Sequence, residues 1–462
     1  MPSVCYVTLG CAKNEVDTDR MRALLRTSGY SDTTDATKAD VVLVNTCSFL
    51  ASATSESIET TLQLAETVYS GVREKPIIMC GCVPSRYGEA LPKALPEVAA
   101  FVRADEEDGI VDVVSSVLGI EQRSSMPDLS ELTLRTVEGP SAFVKISDGC
   151  NRFCSFCAIP FIRGHYASRT AVEILAEVRM LMQGGVREII LIGQDTGVWG
   201  CDFGDGHDLA WLLHQVAAEV RPYHGWIRIL YLQPEGMSDD LIAAIRDLDE
   251  VLPYIDIPIQ HCSESVLKAM NRKGDAQQFR EVFARLRNEI PHMVLRTTAL
   301  CGFPGETDED FDELMDFLRE QEFDYTSVFS YSPEEGTRGA RMPNQIDEAT
   351  KLDRTQALVD LAEQLGFAAT AKHVGEVVDV IVDAVEKPDE FGDFPGDTTN
   401  NGGGQARGFI GHAWFQAPDC DGVVHIRPTS SANTSIKVGD IVRCKLIDSF
   451  CYELVGEIVT HA

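Results

Sequence analysis

The feature that most constrains this chain is an alternation. Short apolar runs are followed repeatedly by segments whose apolar residues recur at helical spacing. Val4–Leu9, Val41–Val44, Ile77–Met79 and Val98–Val102 have the length and boundedness of buried parallel strands. Between them, Asn14–Ser28 carries Met21, Leu24 and Leu25 on one face, and Ser55–Ser70 carries Ile58, Leu62, Ala65 and Tyr69. A helix over Gly109–Leu118 completes a Rossmann-like α/β domain, placed at residues 1–119. The polar stretch 120–140 reads as a linker.

The same alternation then runs longer. Phe143–Ser147, Glu188–Ile192, Trp226–Leu232, Tyr254–Ile259, Val294–Leu300 and Tyr325–Ser330 are candidate strands, with helical patterns between them. Thr170 and Glu173 have the spacing of a capping box. Six βα units in order suggest a partial TIM barrel, (β/α)6, where a full barrel has eight. A long helix over Asp347–Lys372 closes this region, 141–372. Beyond it the pattern is strands only: Glu376–Ala384, Gly408–Trp414, Gly422–Ile426, Ile441–Ile447 and Tyr452–Val459, interrupted by a Gly/Asp/Asn-rich loop from Lys387 to Gly404. Short strands with turn signals suggest a small OB-like β-barrel at 373–462. The fold class is therefore multidomain α/β ending in a small barrel.

Charge narrows the partners. The chain has 40 Lys and Arg against 72 Asp and Glu, a formal charge of −32. A broad basic face for nucleic acid is not to be expected, whereas a basic protein would be attracted. From Lys372 to Ala462 there are 7 Lys/Arg and 14 Asp/Glu, so the last domain is acidic as well. No apolar run approaches the ~18 residues that span a bilayer, and Met1–Gly10 lacks a secretory pattern. A cytoplasmic protein with no membrane association is the expectation. Fourteen cysteines in such a compartment point to metal ligation, catalysis or burial rather than disulfides.

The strongest chemical signal is Cys150-Asn-Arg-Phe-Cys154-Ser-Phe-Cys157. It follows the first strand of the partial barrel, at the end where barrel active sites are built. Three thiolates can hold three irons of a 4Fe–4S cluster and leave the fourth iron open. The alternative is structural zinc with His165 as fourth ligand, although no second close ligand pair follows. Cys11, Cys47 and Cys82 form a second set, 36 and 35 residues apart, each just after a predicted strand. Strand ends of a parallel sheet line one crevice, so the three could converge on a second cluster. Three core cysteines are the competing reading, and Cys80, which alternation would turn the same way, competes with Cys82.

The Cys150–Cys154–Cys157 spacing, with Phe156 before the last cysteine, resembles the radical S-adenosylmethionine (SAM) superfamily. Together with Thr8-Leu-Gly-Cys-Ala-Lys-Asn14 and Val44-Asn-Thr-Cys-Ser-Phe49, it makes the whole chain resemble the methylthiotransferases. The resemblance implies a radical SAM core, a C-terminal TRAM barrel and two 4Fe–4S clusters. Cys150, Cys154 and Cys157 would hold the cluster whose open iron binds SAM, from which a 5′-deoxyadenosyl radical is made. Cys11, Cys47 and Cys82 would hold an auxiliary cluster tied to the sulfur donor, with Gly81 selecting Cys82 over Cys80. A low-potential electron donor such as flavodoxin or ferredoxin is implied. The residues after Cys11, through Asp17, and Cys157-Ala-Ile-Pro160, Arg163-Gly164 and Ser168-Arg169 resemble the branch that modifies an aspartate of ribosomal protein uS12. The other branch modifies tRNA adenosine, and a non-catalytic iron–sulfur sensor of RNA or ribosomes is the reading from another class.

Weaker candidates stand beside these. Gln194 and Asp195 end the second barrel strand, where the amino group of SAM would be met. Arg296, on the strand leading to Gly302-Phe-Pro-Gly-Glu306, could pair with the SAM carboxylate, or it could make an ordinary surface ion pair. His261 reads as a satisfied core histidine. Cys5, Cys201, Cys262, Cys301, Cys420, Cys444 and Cys451 read as packed thiols. The chemistry requires both clusters near one target atom, so the N-terminal crevice should face the mouth of the partial barrel.

Overall fold

The computed structural model describes residues 1–69, 75–120, 135–136, 139–386, 408–427 and 436–459. Five parallel strands form the first sheet, in the order Ser31–Thr33, Ser3–Thr8, Val41–Thr46, Ile77–Gly81, Val98–Arg103. Val41–Thr46 and Ile77–Gly81 are buried throughout, as central strands covered on both faces must be. The edge strand Ser31–Thr33 was not expected; three polar residues carry no apolar pattern, and only pairing with Ser3–Thr8 makes them a strand.

The second sheet has six parallel strands: Tyr325–Ser330, Val294–Cys301, Val251–Asp256, Trp226–Ile229, Glu188–Ile192 and Ser141–Lys145, in that spatial order. It is open, a point that periodicity does not decide. The two-residue period divides its side chains. Ile189, Leu191, Ile227, Ile229 and Ile255 pack outward against helices such as Ala171–Gln183 and Leu209–Val220. Ile190, Ile192, Leu230, Tyr254 and Tyr325 face inward and meet Phe409, Phe415, Val424 and Leu454 of the last domain. The capping box at Thr170 and Glu173 is formed, and a second one, at Thr307 and Asp310, starts Asp308–Gln321.

The helix Glu348–Ala371 leads into a closed five-stranded barrel in the order Val377–Val385, Phe409–Ala413, Val424–Arg427, Glu453–Ile458, Ile441–Phe450. It docks on the core through buried charge: Glu188 bonds Arg228 at 2.7 Å and His412 at 2.7 Å, and His412 bonds Asp383 at 2.7 Å. Most of the linker 120–140 and the loop Lys387–Gly404 lie outside the described residues. Among the described residues no helix is long and apolar enough to cross a membrane. The expectation of packed thiols fails at Cys201, Cys420 and Cys451, which are exposed; each sits in a turn, where the backbone turns outward.

Candidate active site between two cysteine triplets

The loop 149–157 is wrapped tightly at the end of Ser141–Lys145. Gly149 has φ +72°, and a Cβ there would lie 2.1 Å from the His165 carbonyl oxygen, so only glycine fits. Phe153 is held at φ 50° while Asn271 Nδ2 donates to the Arg152 and Phe153 carbonyls, each at 3.1 Å. Cys157 N donates to the Cys154 carbonyl at 3.0 Å, closing the turn that brings these two thiols to one side. Burial pushes the Cys157 thiol up to about 12, and Cys154 and Cys150 raise it further, with Arg272 easing it. Burial also raises Cys150. A bound cluster would supply the positive charge that offsets this burial. Among the described residues no three His, Cys, Asp or Glu side chains come close enough to hold a single metal ion, and His165 is turned to Asn151, Nδ1 to Oδ1 3.0 Å.

Beside this loop lie buried oxygens without partners. Gln194 Nε2 donates to Asp148 Oδ1 at 3.0 Å, which leaves Gln194 Oε1 unmet. Asp195 pairs with Arg152 through Oδ2, and its Oδ1 has no partner. Two unmet acceptors near Cys150 are what an ammonium group would satisfy. Phe156 packs against Met270, Leu300, Phe303 and Tyr331, a supporting position within the core. Arg296 makes ion pairs within the chain. Its guanidinium is taken by Asp421 at 3.0 Å and Ser327 at 2.8 Å, with Asp256 at 3.7 Å. The reason is tertiary: the last domain inserts Asp421 against the inner face of the sheet, a neighbour 125 residues away in sequence. His261 is half as expected. Its Nδ1 accepts from the Cys262 and Ser263 amides at 3.0 Å each, but Nε2 is unmet, with Glu306 at 3.7 Å.

The second triplet is assembled by the sheet. Cys11 caps Ala12–Thr27, Cys47 follows Val41–Thr46, and Cys82 begins Cys82–Tyr87. Gly10, at φ +100°, lets the chain pass so closely that an added Cβ would lie 2.6 Å from Cys47 Cβ and 3.0 Å from its Sγ. Asn14 ties the strand ends together: Nδ2 donates to the Leu9 and Thr46 carbonyls at 2.8 and 3.0 Å, and Oδ1 lies 3.8 Å from Cys82 Sγ. Burial pushes Cys82 up to about 12, Arg163 eases it, and Cys47 and Cys11 raise it further. Cys80 does not turn the same way. Gly81, at φ +88°, breaks the alternation, and Cys80 packs into the core with Leu24 and Ile110.

One short segment brings the two triplets together. Cys82 packs on Ala158 and Ile162, and Ala158 directly follows Cys157. Arg163 then crosses the domain boundary. It reaches Asp17 at 2.6 Å, Asn14 at 2.8 Å, Asp148 at 3.4 Å and Cys82 Sγ at 3.7 Å. Lys145 joins Asp17 at 2.6 Å and Asp148 at 2.8 Å. Burial would raise Asp148, but Lys145 and Arg163 overcome it and hold the carboxyl at about 2. A second clamp is Arg86 on Glu334 at 3.0 Å, both buried. The crevice of the first sheet therefore faces the mouth of the partial barrel.

Known proteins bear on this arrangement. Residues 144–318 match the Radical SAM superfamily, 3–103 match Uncharacterized protein family UPF0004, and 399–459 match the TRAM domain. The chain is 40% identical to the ribosomal protein uS12 methylthiotransferase RimO of Geobacter sulfurreducens, over 99% of this chain and 98% of that one. It is 35% identical to the protein of the same name in Thermoanaerobacter sp. strain X514, over 99% and 100%. The chain belongs to the radical SAM methylthiotransferase family. A solved structure of the radical SAM methyltransferase TsrM of Kitasatospora setae, with cobalamin and a [4Fe–4S] cluster bound, shares the fold at a TM-score of 0.53, 15% identity and coverage of 71% of this chain and 75% of that one.

Within this family frame, sequence reasoning missed the side chains that join the domains. Lys13, Asn14, Asp17 and Arg163 lay inside motifs already named, without a role, and Lys145, Asp148 and Arg272 drew no notice. Arg272 sits beside the barrel-mouth triplet, Nη1 4.0 Å from Cys154 Sγ and Nη2 on Gln233 and Pro258 at 2.7 Å each. Charged residues in predicted buried segments were the available signal, because a buried charge needs a partner.

Proposed function

We propose that this protein adds a methylthio group to the β-carbon of an aspartate in ribosomal protein uS12, by radical SAM chemistry with two 4Fe–4S clusters. The observation that carries the reading is the juxtaposition of two thiol triplets, from separate domains, across Ala158, Ile162 and Arg163. Cys150, Cys154 and Cys157 would hold the SAM-binding cluster, and Cys11, Cys47 and Cys82 the auxiliary one. When bound, the clusters and SAM supply the one-electron chemistry and the methylthio group; the protein supplies position and exclusion of water. Gln194 and Asp195 present acceptors to the SAM ammonium. Asp148 holds the Gln194 amide, and Arg163 and Lys145 hold Asp148, so the two halves are oriented by one charge network.

The substrate reading draws on the near-full-length likeness to the uS12 enzymes and on charge. A ribosomal protein must carry cations to sit on RNA, and a chain at −32 attracts it. A low-potential donor such as flavodoxin or ferredoxin supplies electrons, and the setting is the cytoplasm. Mass spectrometry of uS12 and of tRNA from cells lacking the gene tests the proposal. Loss of the methylthio increment on uS12 with tRNA unchanged is expected; loss on tRNA adenosine with uS12 unchanged overturns it in favour of the other branch.

A further inference from the structure

Lys13 is a buried cation with no anion at ion-pair distance among the described residues; Cys11, Asp256 and Asp148 act on it only from farther off. It is 8% exposed. Its Nζ lies 3.2 Å from the centre of the Tyr231 ring and, among the described residues, makes no hydrogen bond or ion pair. The other buried cations nearby are paired: Lys145 with Asp17 and Asp148, Arg163 with Asp17, Arg296 with Asp421. Asp256, a carboxylate that acts on Lys13 from beyond ion-pair distance, accepts from the Tyr231 amide through Oδ2 at 3.1 Å, and its Oδ1 makes no hydrogen bond and faces Arg296 at 3.7 Å. A cation–π contact offsets only part of the cost of burying an ammonium. The contact position at the ammonium is open to an anion from outside the chain.

Position says which one. Lys13 is two residues past Cys11, on the helix that starts at the N-terminal crevice. Tyr231 follows Trp226–Ile229 at the carboxyl end of that strand, which is the mouth of the partial barrel. The ammonium therefore stands between the auxiliary triplet and the barrel mouth, where the atom to be modified has to lie. We propose that Lys13 binds the side-chain carboxylate of the target aspartate and is a specificity-determining residue for an anionic substrate. This rests on the uS12 reading above. In an aspartate one C–C bond separates the carboxylate from the β-carbon, so pinning the charge at Lys13 also fixes the reacting carbon beside the Cys11 side of the site.

A carboxylate could also come from SAM, and the test separates the two. Reconstituted enzyme is compared as wild type, Lys13→Met and Lys13→Arg, with uS12 and with uS12 whose modified aspartate is replaced by asparagine. Binding is read by fluorescence anisotropy beside KM and kcat. Lys13→Met should weaken uS12 binding and raise its KM by about 10- to 100-fold, the scale of a charged hydrogen bond. It should leave the asparagine form, the KM for SAM and the iron content unchanged. Lys13→Arg should recover most of the loss. Should Lys13→Met lose iron, wild-type enzyme with the asparagine form carries the test: binding must fall by the same factor. Equal loss on both forms of uS12, a loss confined to SAM, or unchanged uS12 binding overturns the proposal while the function stands. A wild-type enzyme that modifies tRNA adenosine and ignores uS12 removes the function itself, and the role of Lys13 with it.

Discussion

The two cysteine triplets are assembled by opposite constructions. Cys150, Cys154 and Cys157 lie on one wrapped loop, held by Gly149, Asn271 and a single internal hydrogen bond. Cys11, Cys47 and Cys82 come from three strand ends and meet only because a parallel sheet puts those ends side by side. A loop-borne site depends on local backbone geometry. A sheet-borne site depends on the folding of its whole domain, and it is correspondingly exposed to any change in packing between strands. The junction of the two, at Cys82, Ala158 and Arg163, is where this difference becomes functional.

The largest expected effect separates their roles. Cys157→Ala should abolish formation of 5′-deoxyadenosine, measured by chromatography after addition of SAM and reductant. Cys82→Ala should keep that product while losing methylthio transfer to uS12, measured by mass spectrometry. Equal behaviour of the two variants would break the division of labour.

Next comes the junction. Arg163→Met leaves buried Asp17 and half-buried Asp148 with only Lys145 to balance them. Loss of one charged hydrogen bond to buried Asp17 is expected to cost about 1.5–3 kcal/mol, read as a lower denaturant midpoint. Lys145→Met should act in the same direction, and a double variant should cost more than the sum, because each single variant also relieves the repulsion between the two cations and leaves the other to hold the carboxylates.

How much of this was legible in the sequence follows the same divide. The Cys150 loop was readable because its chemistry is contiguous, and the βα order was readable because period-two and period-3.6 patterns are local. Cys11, Cys47 and Cys82 could be paired only by supposing a parallel sheet. The Asp17–Arg163 contact joins residues 146 apart, and Lys145 reaches Asp17 across 128. No local pattern carries such pairs. The partner of Arg296 was illegible for the same reason, since Asp421 arrives with the last domain, and strand alternation alone could not separate Cys80 from Cys82, because one left-handed glycine reverses it.

The barrel docking gives a control that should move both triplets together. Burial would lower His412, but Glu188 and Asp383 hold it up at about 9, against an ordinary 6.5. Its folded value is the raised one, so its contribution is complete below pH 6.5 and disappears as pH rises through about 9. At most about 3 kcal/mol is at stake. Thermal unfolding between pH 6 and 10 should show this loss, and His412→Gln should flatten it without changing the ratio of SAM cleavage to transfer.

The smallest effect sharpens the comparison most finely. Gly10→Ala puts a Cβ 2.6 Å from Cys47 Cβ at a left-handed φ, for about 2 kcal/mol of strain. It should loosen the sheet-borne site and leave the loop-borne one unchanged. Iron-stoichiometry titration against a chelator would show one of two sites releasing early.

The central claim is that each triplet holds its own cluster. Iron and sulfide are counted per chain after anaerobic reconstitution, in wild type and in the two triple variants to Ala. About eight irons in wild type and about four in either variant, with sulfide in step, is the expected result for two 4Fe–4S centres. About four irons in wild type, or a triple variant that keeps all eight, would contradict it.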